Sequence, residues 1–322
     1  MVLFLYRSTQ KFNIFDTLYQ MTQTNLISPP YLKPGDCVGI VAPARKISAE
    51  ELSPAISQLE TWGLNVKLGK NIYAAFNQFA GTDDERAADM QQMLDDKEVK
   101  AIISARGGYG AVRIIDKLNF TQFCKNPKWI AGFSDITVFH NHIQTHFGIQ
   151  TLHNTMAFNF GKDAASTELL KKALSGEVNE YIINAQPNNK TGKGAGILCG
   201  GNLSLLYALA GTPSDIDTKG KILFLEDLDE YLYHIDRMMM QLKRSGKLAN
   251  LSGLVIGDFS EMKDNTIPFG KTAEEIILES VAEYNYPVCF GFPAGHGVRN
   301  YPLYMGRKAE LEVDEKTGLR FL

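Results

Sequence analysis

Short apolar runs alternate with amphipathic stretches along the first half of the chain. Residues 38–42 and 101–105 have the apolar composition of buried strands. Residues 48–51 (Ser-Ala-Glu-Glu) and 82–85 (Thr-Asp-Asp-Glu) fit the capping box that begins a helix. We therefore predict helices after both boxes, ending near residues 62 and 95, and a further strand at 64–68. The resulting β-α-β-α order is typical of a parallel sheet.

The pattern continues with a strand at residues 128–133. Starting at Ile136, apolar and histidine side chains recur at positions i, i+3, i+4, i+7 and i+11, which is one face of a helix. The glycine-rich segment at residues 106–110 follows the predicted strand at 101–105, and we predict another helix after it, from about residue 111. Together these elements predict an α/β domain with a doubly wound, mostly parallel sheet.

The second half has a different pattern. Residues 161–196 are rich in Asn, Lys, Gly and Ser, which favours a crossing between domains. After it we predict strands at 221–226, 251–259 and 287–292, a helix at 235–247 and a C-terminal β-hairpin over 307–322. The predicted division is an N-terminal extension (1–26), the α/β domain (27–165), a linker (166–195) and a smaller β-rich α+β domain (196–322).

Composition narrows the classes of partner. Lys and Arg number 33 against 36 acidic residues, a formal charge of -3 without a long basic run, so a nucleic-acid partner is disfavoured. No run approaches the roughly 20 apolar residues that span a bilayer, which disfavours a membrane partner. The four cysteines form no Cys-x-x-Cys pair. With no signal-peptide pattern at the N-terminus, we expect a cytoplasmic protein.

Ser134 lies where the predicted strand at 128–133 runs into a helix. A serine at such a junction can be held on a sharp turn with its hydroxyl exposed, as in a nucleophile elbow. The local sequence Gly-Phe-Ser-Asp-Ile differs from the Gly-x-Ser-x-Gly consensus. A serine that only caps the helix is the competing interpretation.

The glycine-rich segment Arg-Gly-Gly-Tyr-Gly at residues 106–110 follows another predicted strand. Bare glycines let backbone amides face outward, as an oxyanion hole requires. Phosphate binding is the alternative, but neither nucleotide-binding glycine motif is present. A plain strand-to-helix connection accounts for this segment equally well.

Two further residue types complete a candidate site. His296 lies among small residues in a loop after a strand, which suits a general base. Glu226 ends an apolar strand and can orient an imidazole, although the pattern does not distinguish it from Asp227.

His142 and His146 have the i, i+4 spacing of metal ligands, but their segment lacks the glutamate of a zincin, so we predict no metal.

The motifs occur in the order seen in LD-carboxypeptidases (muramoyltetrapeptide carboxypeptidases), and the chain resembles that family from about residue 28 to its end. The resemblance rests on these segments: Tyr-Leu-Lys-Pro-Gly-Asp-Cys-Val-Gly-Ile-Val-Ala-Pro at 31–43, Ala-Arg-Gly-Gly-Tyr-Gly at 105–110, Gly-Phe-Ser-Asp-Ile-Thr at 132–137, Cys-Gly-Gly-Asn-Leu at 199–203 with Gly-Thr-Pro at 211–213, Phe-Leu-Glu-Asp at 224–227 with Ile-Asp-Arg at 235–237, and Gly-Phe-Pro-Ala-Gly-His-Gly at 291–297.

The resemblance implies a catalytic triad of Ser134 as nucleophile, His296 as base and Glu226 as the residue that orients the base. It also implies an oxyanion hole made by the backbone amides of Gly108 and Asp135. The nucleophile would lie on the α/β domain, and the other two on the C-terminal domain. The family further implies a cytoplasmic homodimer without a cofactor, acting in peptidoglycan recycling.

The expected reaction is hydrolysis of the bond between the L-centre of a diamino acid and terminal D-alanine in a murein tetrapeptide. The family usually has Gly-Pro where this chain has Asn154 and Thr155, near the expected path of the substrate, so the resemblance does not determine the exact specificity. Whether the diamino acid is diaminopimelate or lysine stays open, as do the residues that bind the substrate. Two alternatives remain: a microcin-immunity-type peptidase that cleaves an aminoacyl-nucleotide amide, and a non-catalytic protein that binds a small ligand.

Overall fold

The computed structural model describes residues 26–322, and the N-terminal extension predicted for residues 1–26 lies outside them except for residue 26. The strands, in chain order, are β1 Cys37–Val41, β2 Asn65–Leu68, β3 Val99–Ser104, β4 Trp129–Gly132, β5 Thr151–His153, β6 Glu180–Asn184, β7 Gly192–Asn202, β8 Ile222–Leu228, β9 Gly253–Ser260, β10 Val288–Cys289, β11 Leu303–Met305, β12 Lys308–Val313 and β13 Lys316–Phe321.

The helices connect these strands and cover the sheets. In chain order they are α1 Ala49–Thr61, α2 Asp83–Asp95, α3 Thr121–Lys125, α4 Thr137–Phe147, α5 Ala164–Leu174, α6 Leu203–Leu209, α7 Leu232–Arg244 and α8 Ala273–Ser280. None of these helices combines the length and the apolar character needed to cross a bilayer.

The first sheet has the order β11-β5-β4-β3-β1-β2. All neighbouring strands are parallel except β11, which pairs antiparallel with β5. The predicted α/β fold with a mostly parallel sheet is confirmed. Because the strands are parallel, the loops after β1, β3 and β4 meet at one edge of the sheet, where ligands bind in such folds.

The second sheet has the order β10-β9-β8-β7-β12-β13-β6. Strands β7 to β10 are parallel, whereas β12, β13 and β6 pair antiparallel. The predicted C-terminal hairpin is present as β12 and β13. Buried side chains of both sheets form one apolar cluster that includes Trp129 and Leu152 from the first sheet and Leu198 and Phe224 from the second.

The local capping signals agree with the structure. Ser48 and Thr82 each accept a hydrogen bond from the amide of the glutamate three residues later, whose side chain accepts one in return. A third capping box, at Thr272, begins α8, which we did not predict. Capping boxes are local, so they predict helix starts well.

Three predicted elements differ from the structure. In place of a helix from residue 111 there are two short 3₁₀ turns, Ala111–Arg113 and Ile115–Lys117, where β-branched side chains disfavour a longer helix. The strand predicted at 287–292 shortens to β10, with Gly291 in a left-handed conformation. The polar segment 166–195 contains most of α5, the sheet-edge strand β6 and the start of β7.

Candidate active site

Ser134 lies on a sharp turn between β4 and α4. It begins a 3₁₀ turn and has a φ of 60°, a left-handed conformation that residues with a side chain seldom adopt. Its hydroxyl makes no capping hydrogen bond to this turn or to α4. The interpretation of Ser134 as a plain helix cap is therefore wrong. Strain of this kind is the property of a nucleophile elbow.

The glycine-rich turn after β3 packs directly against Ser134. A Cβ atom at Gly107 would lie 3.1 Å from Cβ and 3.3 Å from Oγ of Ser134. A side chain at this position would crowd the serine, so glycine gives the hydroxyl the most room. The next residue, Gly108, has a φ of 112°, which a side chain would also disfavour.

Two backbone amides near Ser134 are not used elsewhere in residues 26–322. The N–H groups of Gly108 and Asp135 donate to no other backbone or side-chain group of these residues. Asp135 is fully buried and Gly108 is exposed, so the two unused amides are at the boundary between the protein and the solvent beside a strained serine, where they suit an anionic ligand.

The side chain of Asp135 connects the two turns. Its fully buried carboxylate accepts a hydrogen bond of 2.7 Å from the amide of Ala111. Burial raises the pKa of Asp135 to about 7, against the lowering effect of the backbone hydrogen bonds. On the other side, the buried guanidinium of Arg86 donates to the carbonyls of Pro43 (2.6 Å) and Gly110 (3.0 Å). The C-terminal end of the glycine-rich turn is thus held by both Asp135 and Arg86.

His296 and Glu226 are in direct contact. The imidazole Nδ1 donates a hydrogen bond of 2.6 Å to Oε2 of Glu226, whose side chain is fully buried. With the proton on Nδ1, the other nitrogen, Nε2, is free to act as a base. Burial lowers the pKa of His296, but the negative charges of Glu226, Asp227 and Asp258 outweigh this effect and raise the pKa above its ordinary value of 6.5.

Asp227 has different partners. Its carboxylate accepts hydrogen bonds from the side chain of Asn202 (3.0 Å) and the amide of Ser204 (2.9 Å). The choice between the two carboxylates, which the sequence pattern left open, therefore falls on Glu226 as the partner of His296.

The serine and the histidine lie near each other without a direct bond. The ring of Phe133, next to Ser134 in the chain, lies 4.7 Å from the imidazole of His296, measured between centroids. No hydrogen bond joins Ser134 Oγ to this imidazole in the described chain. Catalytic hydrogen bonds are often long until substrate is in place, so this geometry fits a serine hydrolase.

Sequence reasoning missed a histidine beneath the nucleophile turn. His140 Nε2 donates to the carbonyl of Gly132 (2.9 Å), so its Nδ1 accepts from the hydroxyl of Thr151 (2.8 Å). Burial lowers the pKa of His140 to about 4, which keeps it neutral. The only sequence signal was its position on the apolar face of the predicted helix.

The loop that carries His296 is also fixed from within. The amide of Gly295 donates to Oδ1 of Asn300 (3.1 Å), and His153 Nε2 donates to the same oxygen (3.2 Å). Because His153 ends β5 of the first sheet, this contact ties the loop of His296 to the sheet that carries Ser134. No sequence signal pointed to Asn300.

His142 and His146, which have the i, i+4 spacing of metal ligands, have their rings 4.4 Å apart between centroids, and His142 Nδ1 is hydrogen-bonded to Ser214 (2.9 Å). Within residues 26–322, no group of three or more metal-ligating side chains is assembled.

Two known family models match most of the chain. A family model for the LD-carboxypeptidase N-terminal domain matches residues 38–154, and one for the LD-carboxypeptidase C-terminal domain matches residues 195–311. The chain belongs to the LD-carboxypeptidase family. It is accordingly a carboxypeptidase of the serine type.

Individual relatives cover nearly the whole chain. The chain is 38% identical to a probable murein peptide carboxypeptidase of Bacillus subtilis, over 90% of this chain and 93% of the relative. The crystal structure of muramoyltetrapeptide carboxypeptidase from Oxalobacter formigenes has a TM-score of 0.80 at 30% identity, covering 88% of this chain and 98% of that one. The microcin C7 self immunity protein has a TM-score of 0.83 at 20% identity, covering 92% and 98%, and shares the fold.

Proposed function

We propose that this carboxypeptidase removes terminal D-alanine from murein tetrapeptides, by hydrolysis of its bond to the L-centre of a diamino acid. The observation that carries the proposal is the buried Glu226–His296 pair beside the strained Ser134 turn. The names of the relatives in Bacillus subtilis and Oxalobacter formigenes support the substrate class.

In the proposed mechanism, His296 Nε2 takes the proton of Ser134 Oγ as this oxygen attacks the scissile carbonyl carbon. The buried carboxylate of Glu226 stabilises the imidazolium that forms. The amides of Gly108 and Asp135 donate to the oxyanion, and each such donor contributes on the order of 10²- to 10³-fold in rate. The imidazolium then protonates the leaving amine of D-alanine, and water hydrolyses the acyl-enzyme.

The same proposal includes the setting of the reaction. The family resemblance supports a cytoplasmic homodimer that acts in peptidoglycan recycling, with no nucleic-acid or membrane partner. It also supports the division into a nucleophile domain at 27–165 and a C-terminal domain at 196–322 that carries Glu226 and His296.

The test is release of D-alanine from a defined set of muropeptides, followed by mass spectrometry of the products. We expect the wild type to shorten tetrapeptides by one D-alanine and Ser134→Ala to be inactive. Ser175→Ala, at the end of α5, is the matched control and should retain full activity. Turnover by Ser134→Ala would reject the assignment. Cleavage of an aminoacyl-nucleotide conjugate in preference to tetrapeptide would favour the microcin-immunity alternative.

A further inference from the structure

A carboxypeptidase has to recognise the free carboxylate at the end of its substrate. In a terminal amino acid this carboxylate is three bonds from the scissile carbonyl carbon, a separation of about 4 Å. The group that binds it must therefore lie close to the oxyanion hole.

The side of the site around His296 is unsuited to an anion. Three carboxylates act on this imidazole, those of Glu226, Asp227 and Asp258. A substrate carboxylate placed among them would be repelled, and the repulsion is strong where burial lowers the effective dielectric constant. The binding group is therefore expected away from these carboxylates, and the glycine-rich turn is the other part of the site that lies next to Ser134.

Arginine is the side chain that best matches a carboxylate, because its planar guanidinium donates two parallel hydrogen bonds. Three arginines near the glycine-rich turn already have acidic partners. Arg86 and Arg113 both pair with Asp83, and Arg106 pairs with Glu51 at 3.3 Å. Arg106 is also stacked on the ring of Phe158, 4.1 Å from its centroid.

Arg45 differs from these three. It is exposed, and its guanidinium has no acidic or hydrogen-bonding partner among residues 26–322. Its backbone amide donates to the carbonyl of Gly107 (3.3 Å). Its side chain runs along Gly108, since a Cβ atom at Gly108 would lie 3.0 Å from Cβ and 3.4 Å from Cδ of Arg45.

Arg45 is connected to the nucleophile through the two glycines of the turn. Gly107 touches Ser134, and Gly108 supplies the proposed oxyanion amide. The Arg45 side chain therefore places a cation without an acidic partner next to the residue that supplies the proposed oxyanion amide. We propose that Arg45 binds the terminal carboxylate of the leaving D-amino acid, an inference that rests on the proposed function. Arg45 would then restrict the enzyme to peptides with a free C-terminus.

The experiment compares a tetrapeptide that ends in a free carboxylate with the same peptide as its C-terminal carboxamide. We expect the wild type to have the higher kcat/KM for the acid. Arg45→Met should lower kcat/KM for the acid by on the order of 10- to 100-fold more than it lowers kcat/KM for the carboxamide. Arg45→Lys should retain part of the preference. Lys46→Met removes the neighbouring exposed cation instead, and this control should behave as the wild type.

Binding provides a second measurement that does not depend on turnover. In the Ser134→Ala background, calorimetry should show tighter binding of the acid than of the carboxamide, and addition of Arg45→Met should remove the difference. The inference would be overturned if the Ser134→Ala protein bound the acid and the carboxamide with equal affinity. It would also be overturned if Arg106→Met removed the preference for the acid and Arg45→Met did not. A wild type that releases no D-alanine would instead refute the proposed function, and the binding measurement would still decide the role of Arg45.

Discussion

Glu226 accepts a hydrogen bond from His296 at 2.6 Å although 70 residues separate them in the chain. The carboxylate is fully buried at the end of β8, and the histidine lies on the loop before β11. A buried charge without a partner is costly, so loss of the histidine is expected to destabilise the fold as well as to remove the proposed base.

The charge of Glu226 is expected to be essential. Glu226→Gln keeps the shape of the side chain but removes the charge that stabilises the imidazolium, and its amide can present a donor to Nδ1. We expect kcat to fall by on the order of 10³- to 10⁴-fold, as for the corresponding change in other triads. Steady-state release of D-alanine measures this loss. A variant within a few-fold of the wild type would show that Glu226 has no catalytic role.

The pH dependence of kcat/KM should report the base. The carboxylates around His296 raise its pKa above 6.5. Since the base acts in its neutral form, activity should rise with pH and reach half its plateau above pH 6.5. Asp258→Asn removes one of the raising charges and should move this midpoint to lower pH. An unchanged midpoint would mean that another group controls the rate.

The close approach of Gly107 to Ser134 gives a steric test. Gly107→Ala places a methyl group 3.1 Å from Ser134 Cβ and 3.1 Å from Met156 Cε, and we expect relief of this crowding to displace the nucleophile turn by a few tenths of an ångström. We expect kcat to fall by about 100-fold, because small displacements of reacting groups cost that much. Gly318→Ala is the control, since its new methyl group meets nothing within 4 Å. Circular dichroism checks that both variants fold, and full activity of Gly107→Ala would contradict the geometry.

His140 should support the nucleophile turn through its neutral form. His140→Leu leaves the carbonyl of Gly132 and the hydroxyl of Thr151 without this partner, which should cost about 1–3 kcal/mol of unfolding free energy at pH 7. The folded-state pKa is lowered to about 4, so between pH 6.5 and 4 the unfolded state binds more protons.

The stabilising effect of His140 is therefore present above pH 6.5 and is lost as pH falls towards 4, by up to about 1.4 kcal/mol per pH unit. Urea unfolding of wild type and variant at pH 7, 6 and 5 measures the difference between them. A difference that grows on acidification would contradict the assignment of a neutral, buried imidazole.

Local patterns predicted the elements that local interactions determine. The capping boxes at Ser48 and Thr82 and the apolar runs of β1 and β3 lie where expected. The edge strand β6 was missed because its exposed side chains made the segment look like a linker. Edge strands need little apolar character, so their pairing is decided by partners distant in the chain.

The candidate site depended on more than local pattern. The turn at Ser134 was predicted from its position between strand and helix, but the pairing of His296 with Glu226 rather than Asp227 came from the resemblance. Arg45 carried no signal, because an exposed arginine in a loop is common and only the fold places it beside Gly108. The catalytic roles of Ser134, His296 and Glu226 stay predictions until they are tested.

The most direct measurement is covalent labelling of the wild-type enzyme with a fluorophosphonate, followed by peptide mass spectrometry. We predict that the adduct forms on Ser134, that it forms far more slowly in His296→Ala and Glu226→Gln, and that labelling abolishes release of D-alanine. An enzyme that turns over tetrapeptide while Ser134 stays unmodified, or that retains its activity once Ser134 is labelled, would contradict the account.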